Sequence, residues 1–183
     1  MIIAGAQKVR FYVHRDYLIA ASSRFKRLLD SQPDQLPTVT IQPDAHTVDL
    51  FVQWMYTASP KLSASADQVF LELSQLYDFA DTLQIVHLRN YTIGRLFDLR
   101  HRNIILPMSA VEWSFENIPV VCGFCRLLVA WFVWHQESMR TLTAEFLNRN
   151  SRFCSELCTA MIRKEHGAGD PFLGDLHDYY EEQ

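Results

Sequence analysis

The chain is poor in the features that mark nucleotide and nucleic-acid binding. Its six glycines form neither a G-x-G-x-x-G motif nor a loop ending in G-K-[ST], so no phosphate-binding loop is predicted. Lysine and arginine together number 17 against 21 acidic residues, and the formal net charge is -4. No basic stripe is available to neutralise a phosphate backbone, so we expect no nucleic-acid partner.

Catalytic patterns are also missing. Ser22 is not surrounded by a G-x-S-x-G elbow and is interpreted as a helix cap or a buried hydroxyl. The acidic residues between Asp175 and Glu182 are typical of a solvated face rather than an acid-base pair. His14 is interpreted as a structural residue, not a catalytic one. We therefore expect no enzymatic activity and no cofactor.

Long apolar runs and an export signal are absent as well. The longest apolar run, Leu127 to Trp134, has eight residues, whereas a bilayer crossing needs about 20. The first residues are apolar over only four positions, which is too short for a signal peptide. A hydrophobic share of 49% with 21% charged residues is typical of a globular protein. The chain is expected to stay inside the cell, in the cytoplasm or nucleus, without membrane contact.

Cysteine is scarce, with only four residues in two closely spaced pairs: Cys122 and Cys125, then Cys154 and Cys158. Four thiolates can close a tetrahedral zinc site, and a thiol near a helix start can serve redox chemistry. However, the second pair lies on one predicted helical face beside Phe153 and Leu157, where cysteine is commonly a buried apolar residue. No metal site is the preferred interpretation, and a zinc-stabilised or thiol-redox protein using these four cysteines is the alternative.

Two segments change from strand to helix periodicity. Apolar residues alternate from Val9 to Val13, and helical spacing follows from Leu18. The same change occurs after Val39, where the pattern predicts a helix over 45–57 capped by Asp44. Further helices are predicted at 67–83, 110–116, 123–137, 143–148 and 152–164. Most tryptophans should be core residues, and any exposed one would be an interface anchor.

The spacing of particular residues across these segments resembles the BTB (POZ) domain. They read F-x-V-H-R-x-x-L-x-x-x-S-x-x-F, then W-M-Y-T, then an Ala-Asp helix, with the signature residues His14, Leu18, Ser22, Phe25, Trp54, Tyr56, Thr57, Ala80 and Asp81. The later residues from Val111 to Trp134 resemble the helical extension of fungal BTB proteins. The resemblance implies an α+β, mostly helical fold: a small three-stranded sheet flanked by helices, followed by an all-helical extension.

The domain limits predicted on this basis are 1–100 for the BTB domain, 101–166 for the helical extension and 167–183 for an acidic tail. The tail is expected to be mobile, although four of its apolar side chains are able to dock on a neighbour: Phe172, Leu173, Tyr179 and Tyr180. The signature residues are expected to serve the fold.

The family resemblance also implies a protein-protein interaction module, acting as a cullin-type ubiquitin ligase adaptor or as a dimerising scaffold. The partner would be a cullin or another BTB protein. Two departures bear on this: the sequence begins inside the first hairpin, which puts the usual homodimer in question, and the loop 29–37 lacks the hydrophobic-x-Glu triplet of cullin-binding members. The candidate partner surface comprises Leu28, Leu29, Ser31, Leu36 and Tyr77.

Overall fold

The computed structural model describes residues 1–31, 38–100, 102 and 104–182. The described residues form three strands: β1 (Ile2–Ala4), β2 (Val9–Phe11) and β3 (Val39–Ile41). The helices are α1 (Arg15–Ala21), α2 (Ser23–Asp30), α3 (Ala45–Thr57), α4 (Ala66–Thr82), α5 (Val86–Arg100), α6 (Met108–Asn117), α7 (Gly123–Trp134), α8 (Gln136–Arg140), α9 (Ala144–Arg149) and α10 (Ser151–Glu165). None of the described helices is long and apolar enough to span a bilayer.

The chain divides into two compact units. The first unit contains residues 1–62 and 75–89, and the second contains residues 63–74 and 90–183. Helices α4 and α5 each contribute residues to both units.

The sheet of the first unit is mixed, with strand order β2-β1-β3. β1 pairs antiparallel with β2, placing Ile2 opposite Phe11, and parallel with β3, placing Ile2 opposite Val39. The hairpin between β1 and β2 turns through Gly5, whose φ of 63° is favourable for glycine. A parallel neighbour for β1 requires a long crossover, and α1 and α2 lie within it.

Helix caps follow the predicted residues. The Ser22 hydroxyl accepts from the backbone N–H groups of Arg24 and Phe25 and so begins α2. Asp44 caps α3 by accepting from the Thr47 N–H at 2.8 Å. Each side chain satisfies backbone donors that the first helical turn leaves unpaired. Both predicted caps are confirmed.

An aromatic stack fills the centre of the first unit. The rings of Phe25 and Phe51 lie 6.0 Å apart, and Phe51 is 5.0 Å from Phe79. The buried Ser22 hydroxyl also donates to the Leu83 carbonyl at 2.5 Å, which ties the start of α2 to the end of α4. The chain leaves α4 through Gln84, at a positive φ of 57°.

A second aromatic cluster centres on Phe153 of α10 in the second unit. Its fully buried ring lies between 5.1 and 5.7 Å from the rings of Phe132, Phe115 and Phe146. Glu72 and Ser63 form another buried contact in this unit. The Glu72 carboxylate accepts hydrogen bonds from the backbone N–H and the hydroxyl of Ser63. The carboxylate is therefore buried with hydrogen-bond donors, as burial of a charge requires.

The predicted helix over 123–137 is wrong in its extent, because His135 divides it into α7 and α8. His135 is extended (φ -120°, ψ 100°), and its Nδ1 accepts from the Ser138 N–H at 3.3 Å. A side chain that caps the second helix interrupts the first. Burial and the nearby Arg100 guanidinium lower the pKa of His135, in agreement with a neutral ring that accepts a hydrogen bond.

The tryptophans are less buried than predicted. Only Trp131 is fully buried, and Trp54, Trp113 and Trp134 are half-buried. The large exposed aromatic side chains are instead tyrosines: Tyr12, Tyr17 and Tyr56.

The acidic tail, expected to be mobile, forms two short 3-10 turns at Pro171–Leu173 and Leu176–Tyr179. Phe172 is buried, whereas Leu173 is 86% exposed. Of the side chains expected to be able to dock, Leu173 therefore does not do so.

Candidate interaction surface

The first unit exposes a group of aromatic side chains that we call the aromatic patch: Tyr12, His14, Tyr17 and Tyr56. Tyr12 is 80% exposed where the chain leaves β2, Tyr17 is 48% exposed on α1, and Tyr56 is 43% exposed near the end of α3. His14 lies between β2 and α1 and is also exposed. Tyrosine at a protein surface combines a large apolar ring with a polar tip, which suits contact with other proteins.

Three members of the aromatic patch, His14, Tyr17 and Tyr56, contact one another. The Tyr56 hydroxyl accepts from the His14 backbone N–H at 3.2 Å and lies 2.6 Å from the His14 Nδ1. The Tyr17 and Tyr56 rings are 4.8 Å apart, and His14 packs about equally close to both, at 6.0 and 5.9 Å. Tyr17 and Tyr56 are thus ordered before any partner binds.

An open depression adjoins the aromatic patch. It is lined by Met1, Arg10, Tyr12, Val13 and His14. His14 therefore belongs both to the ring cluster and to the wall of the depression. Arg10 supplies a positive charge at this wall, so the surface combines apolar rings with a cation that can pair with an acidic group.

Of the contact surface predicted from the sequence, some residues are exposed in the structure and others are buried. Leu28 is 38% exposed and Ser31 is exposed, but Leu29 is 2% exposed and Tyr77 is fully buried. Leu36 lies outside the described residues. Leu29 and Tyr77 are core residues because the apolar faces of α2 and α4 point inward. They offer no side-chain area to a partner, which corrects their assignment to a contact surface.

The BTB signature residues occupy both core and surface. Leu18, Ser22, Phe25 and Ala80 are buried. Asp81 forms an ion pair with Arg89 at 2.7 Å. Trp54 is half-buried, while His14, Tyr56 and Thr57 are exposed. The sequence did not single out Tyr12 and Tyr17, although the enrichment of tyrosine at interface hot spots was the available signal.

The four cysteines do not form one cluster. Cys122 caps α7, where its Sγ accepts from the Cys125 N–H at 3.4 Å. Cys154 and Cys158 lie on α10, and Cys158 is exposed rather than buried as its helical face predicted. Within the residues that the structure describes, no three histidine, cysteine, aspartate or glutamate side chains are placed to share a metal ion.

The environment of Cys125 disfavours ionisation of its thiol. The hydrogen bond with Cys122, followed by burial, raises the pKa of the Cys125 thiol. Reactive thiols have a lowered pKa, since the thiolate is the nucleophile and the metal ligand. Cys125 is therefore not an activated thiol, and the arrangement of the described cysteines gives the zinc alternative no support.

The first unit is a small α+β domain with aromatic side chains exposed on its surface. Its residues lie within a longer match: residues 1–90 fit the sequence model of the BTB/POZ domain family. The chain therefore carries a BTB/POZ domain over residues 1–90, and the predicted fold class is confirmed. BTB/POZ domains are protein-protein interaction modules that often dimerise, and they are generally not enzymes. Among curated proteins, none matches the chain.

Proposed function

We propose that this chain is an adaptor without catalytic activity, whose BTB/POZ domain binds a protein partner through the aromatic patch. The observation that carries the proposal is the ordered exposure of Tyr17 and Tyr56 beside the depression. The domain limits are proposed as 1–100 for the BTB domain, 101–166 for the helical extension and 167–183 for the tail.

The aromatic patch has the properties of an interface centre. Tyrosine is enriched among residues whose truncation costs about 2 kcal/mol or more of binding energy. Because the Tyr56 hydroxyl is already held by His14, binding pays little entropy to order its ring. A stable interface needs about 800 Å² from each partner, so the patch would form the centre of a larger contact.

The partner that we propose is a cullin-type ligase subunit. The alternative partner is a second BTB chain. The loop lacks the hydrophobic-x-Glu triplet, so cullin binding would have to use other residues. The aromatic patch, with Arg10 at its margin, is the surface we assign to that contact.

The experiment is a calorimetric titration of the full chain with the cullin N-terminal domain, together with sedimentation equilibrium to measure self-association. Tyr17→Ala should weaken the observed complex about thirtyfold, the equivalent of about 2 kcal/mol. Leu28→Ala tests the alternative face predicted from the sequence, and Val121→Ala, 85% exposed in the second unit, is the control.

Binding that survives Tyr17→Ala but is lost in Leu28→Ala would move the contact to α2. If neither the cullin domain nor a second copy binds in the micromolar range, the choice of partner class is wrong. The zinc content of the same preparation distinguishes the adaptor from a zinc-stabilised protein, because the latter requires close to one equivalent of tightly held zinc.

A further inference from the structure

The C-terminal segment, residues 170–182, is bound in a groove of the second unit. One wall of the groove is the part of α5 from Asn90 onward, and the other is α7. The Asn90 side chain donates to the Glu181 carbonyl at 3.1 Å and accepts from the Glu181 N–H at 2.8 Å. Such a pair of hydrogen bonds recognises peptide backbone, as a neighbouring strand does, and is independent of side-chain identity.

The Glu181 side chain ends at the start of α7. Its carboxylate accepts from the Gly123 N–H at 2.8 Å, at a helix N-terminus where backbone N–H groups and the helix dipole favour a negative charge. A Cβ on Gly123 would lie 1.8 Å from the Tyr179 carbonyl oxygen. Only glycine allows the segment to approach α7 this closely.

Two aromatic side chains anchor the segment. Phe172 is 5% exposed, and its ring lies 5.4 Å from Phe97 and 6.0 Å from Trp131, with the Arg100 guanidinium 5.1 Å from the ring centre. Buried aromatic side chains contribute most of the energy of such contacts.

Tyr179 is the second anchor. The Arg126 guanidinium lies 5.4 Å from the centre of its ring, and the same arginine donates to the Asp178 carbonyl at 3.2 Å. Arg126 therefore contacts both an aromatic side chain and the backbone beside it.

The C-terminal segment also resembles a bound peptide in its charge and in its connection to the rest of the chain. The segment contains five acidic residues and no lysine or arginine, and it contacts Arg100 and Arg126. It is joined to α10 through Gly167 and Gly169, where an added Cβ would meet no atom within 4 Å. The segment can thus leave the groove without unwinding α10.

We propose that this groove is a peptide-binding site, that the chain's own C-terminal segment occupies it, and that its partner ligand is an acidic peptide. The peptide would carry a phenylalanine, a tyrosine seven residues later and a glutamate two residues after that. This site goes beyond the aromatic patch, which belongs to the first unit.

The tethered C-terminal segment competes with an added peptide for the groove and so regulates peptide binding. A tethered ligand acts at an effective concentration of about millimolar, so it masks the groove from weaker partners. The apparent affinity of an added peptide is reduced by the fraction of chains in which the groove is open.

The test uses a fluorescently labelled synthetic peptide of residues 170–182 and anisotropy titrations of the full-length chain. The Phe172→Ala/Tyr179→Ala variant weakens the tethered segment and leaves the groove residues unchanged. We expect it to bind the peptide at least about tenfold more tightly than the unmodified chain does. Adding Arg126→Ala should reverse most of this gain, whereas Arg149→Ala, on the exposed face of α9, should not.

Gly123→Ala separates opening from binding. Its Cβ expels the tethered segment, so proteolysis within 173–178 should become faster, but it blocks an added peptide in the same way, and no tenfold gain should appear. If the double variant loses its helical circular dichroism, Phe172→Ala alone replaces it with the same expectations. Equal peptide binding by the unmodified and segment-weakened chains, or binding that Arg126→Ala leaves unchanged, would overturn the proposal.

Discussion

Ser22 offers the sharpest test of how the first unit is held together. Its hydroxyl makes three hydrogen bonds: it accepts from the N–H groups of Arg24 at 3.0 Å and Phe25 at 3.3 Å, and it donates to the Leu83 carbonyl at 2.5 Å. The side chain is 3% exposed, so water cannot replace these bonds without local opening. Ser22→Ala removes all three at little cost in volume.

The expected loss of stability follows from two contributions. Removal of a helix N-cap costs about 1 kcal/mol. Loss of a buried donor to the Leu83 carbonyl adds about 1–3 kcal/mol, since a buried polar group loses its partner. Ser22→Ala should therefore lower the free energy of unfolding by about 2–4 kcal/mol, a large share of the stability of a small domain.

Ser23→Ala is the matched control, because Ser23 is the neighbouring residue and is exposed at the first position of α2. It should change stability by less than about 0.5 kcal/mol. Urea unfolding followed by far-UV circular dichroism measures both variants, with the midpoint and slope fitted together. A difference between them below about 1 kcal/mol would refute the role assigned to Ser22.

Three further predictions concern other parts of the chain. Because burial first and a nearby guanidinium second lower the pKa of His135, the unfolded chain binds more protons below about pH 6.5. The free energy of unfolding should then fall on acidification by up to about 1.4 kcal/mol per pH unit. His135→Asn keeps a capping acceptor and should make this fall less steep when urea unfolding is measured at several pH values. An unchanged dependence on pH would contradict the prediction. Tyr56→Phe removes the hydroxyl bound to His14 and should cost about 0.5–1.5 kcal/mol in thermal unfolding, while Tyr17→Phe, as control, should cost less. Phe153→Ala should cost about 3–5 kcal/mol by urea unfolding, whereas Ile162→Ala, 55% exposed on the same helix, should stay within about 0.5 kcal/mol; similar losses would argue against the buried cluster.

The sequence predicted best what depends on neighbouring residues. Ser22 and Asp44 cap their helices because a hydroxyl or carboxylate reaches backbone N–H groups two or three positions later, a relation visible in the sequence. The change from alternating to helical spacing likewise located β3 and the helix that follows it. Helix limits in the second half were predicted to within a few residues, except where His135 intervenes.

Contacts between residues far apart in the sequence were harder to predict. The burial of Tyr77 depends on which side of α4 faces its neighbours, and the aromatic patch joins Tyr17 to Tyr56 across a wide sequence separation. The sequence named Phe172 as able to dock but did not predict the rings that it contacts, because the residues around it carry turn formers and charges without helical or strand periodicity. Cys158 shows a related difficulty, because it is exposed although the adjacent residue of the same helix, Leu157, is buried.

The strand order has a consequence for synthesis on the ribosome. β1 is the central strand, yet its parallel partner β3 follows β2 by about 30 residues. At about 5–20 residues per second, the β1–β2 hairpin would wait about 2–6 s before Val39 to Ile41 become available. During that interval one edge of β1, with Ile2 and Ala4 destined for burial, has unpaired backbone groups. The nascent hairpin is thus a stage of synthesis at which binding of a chaperone would protect this exposed edge.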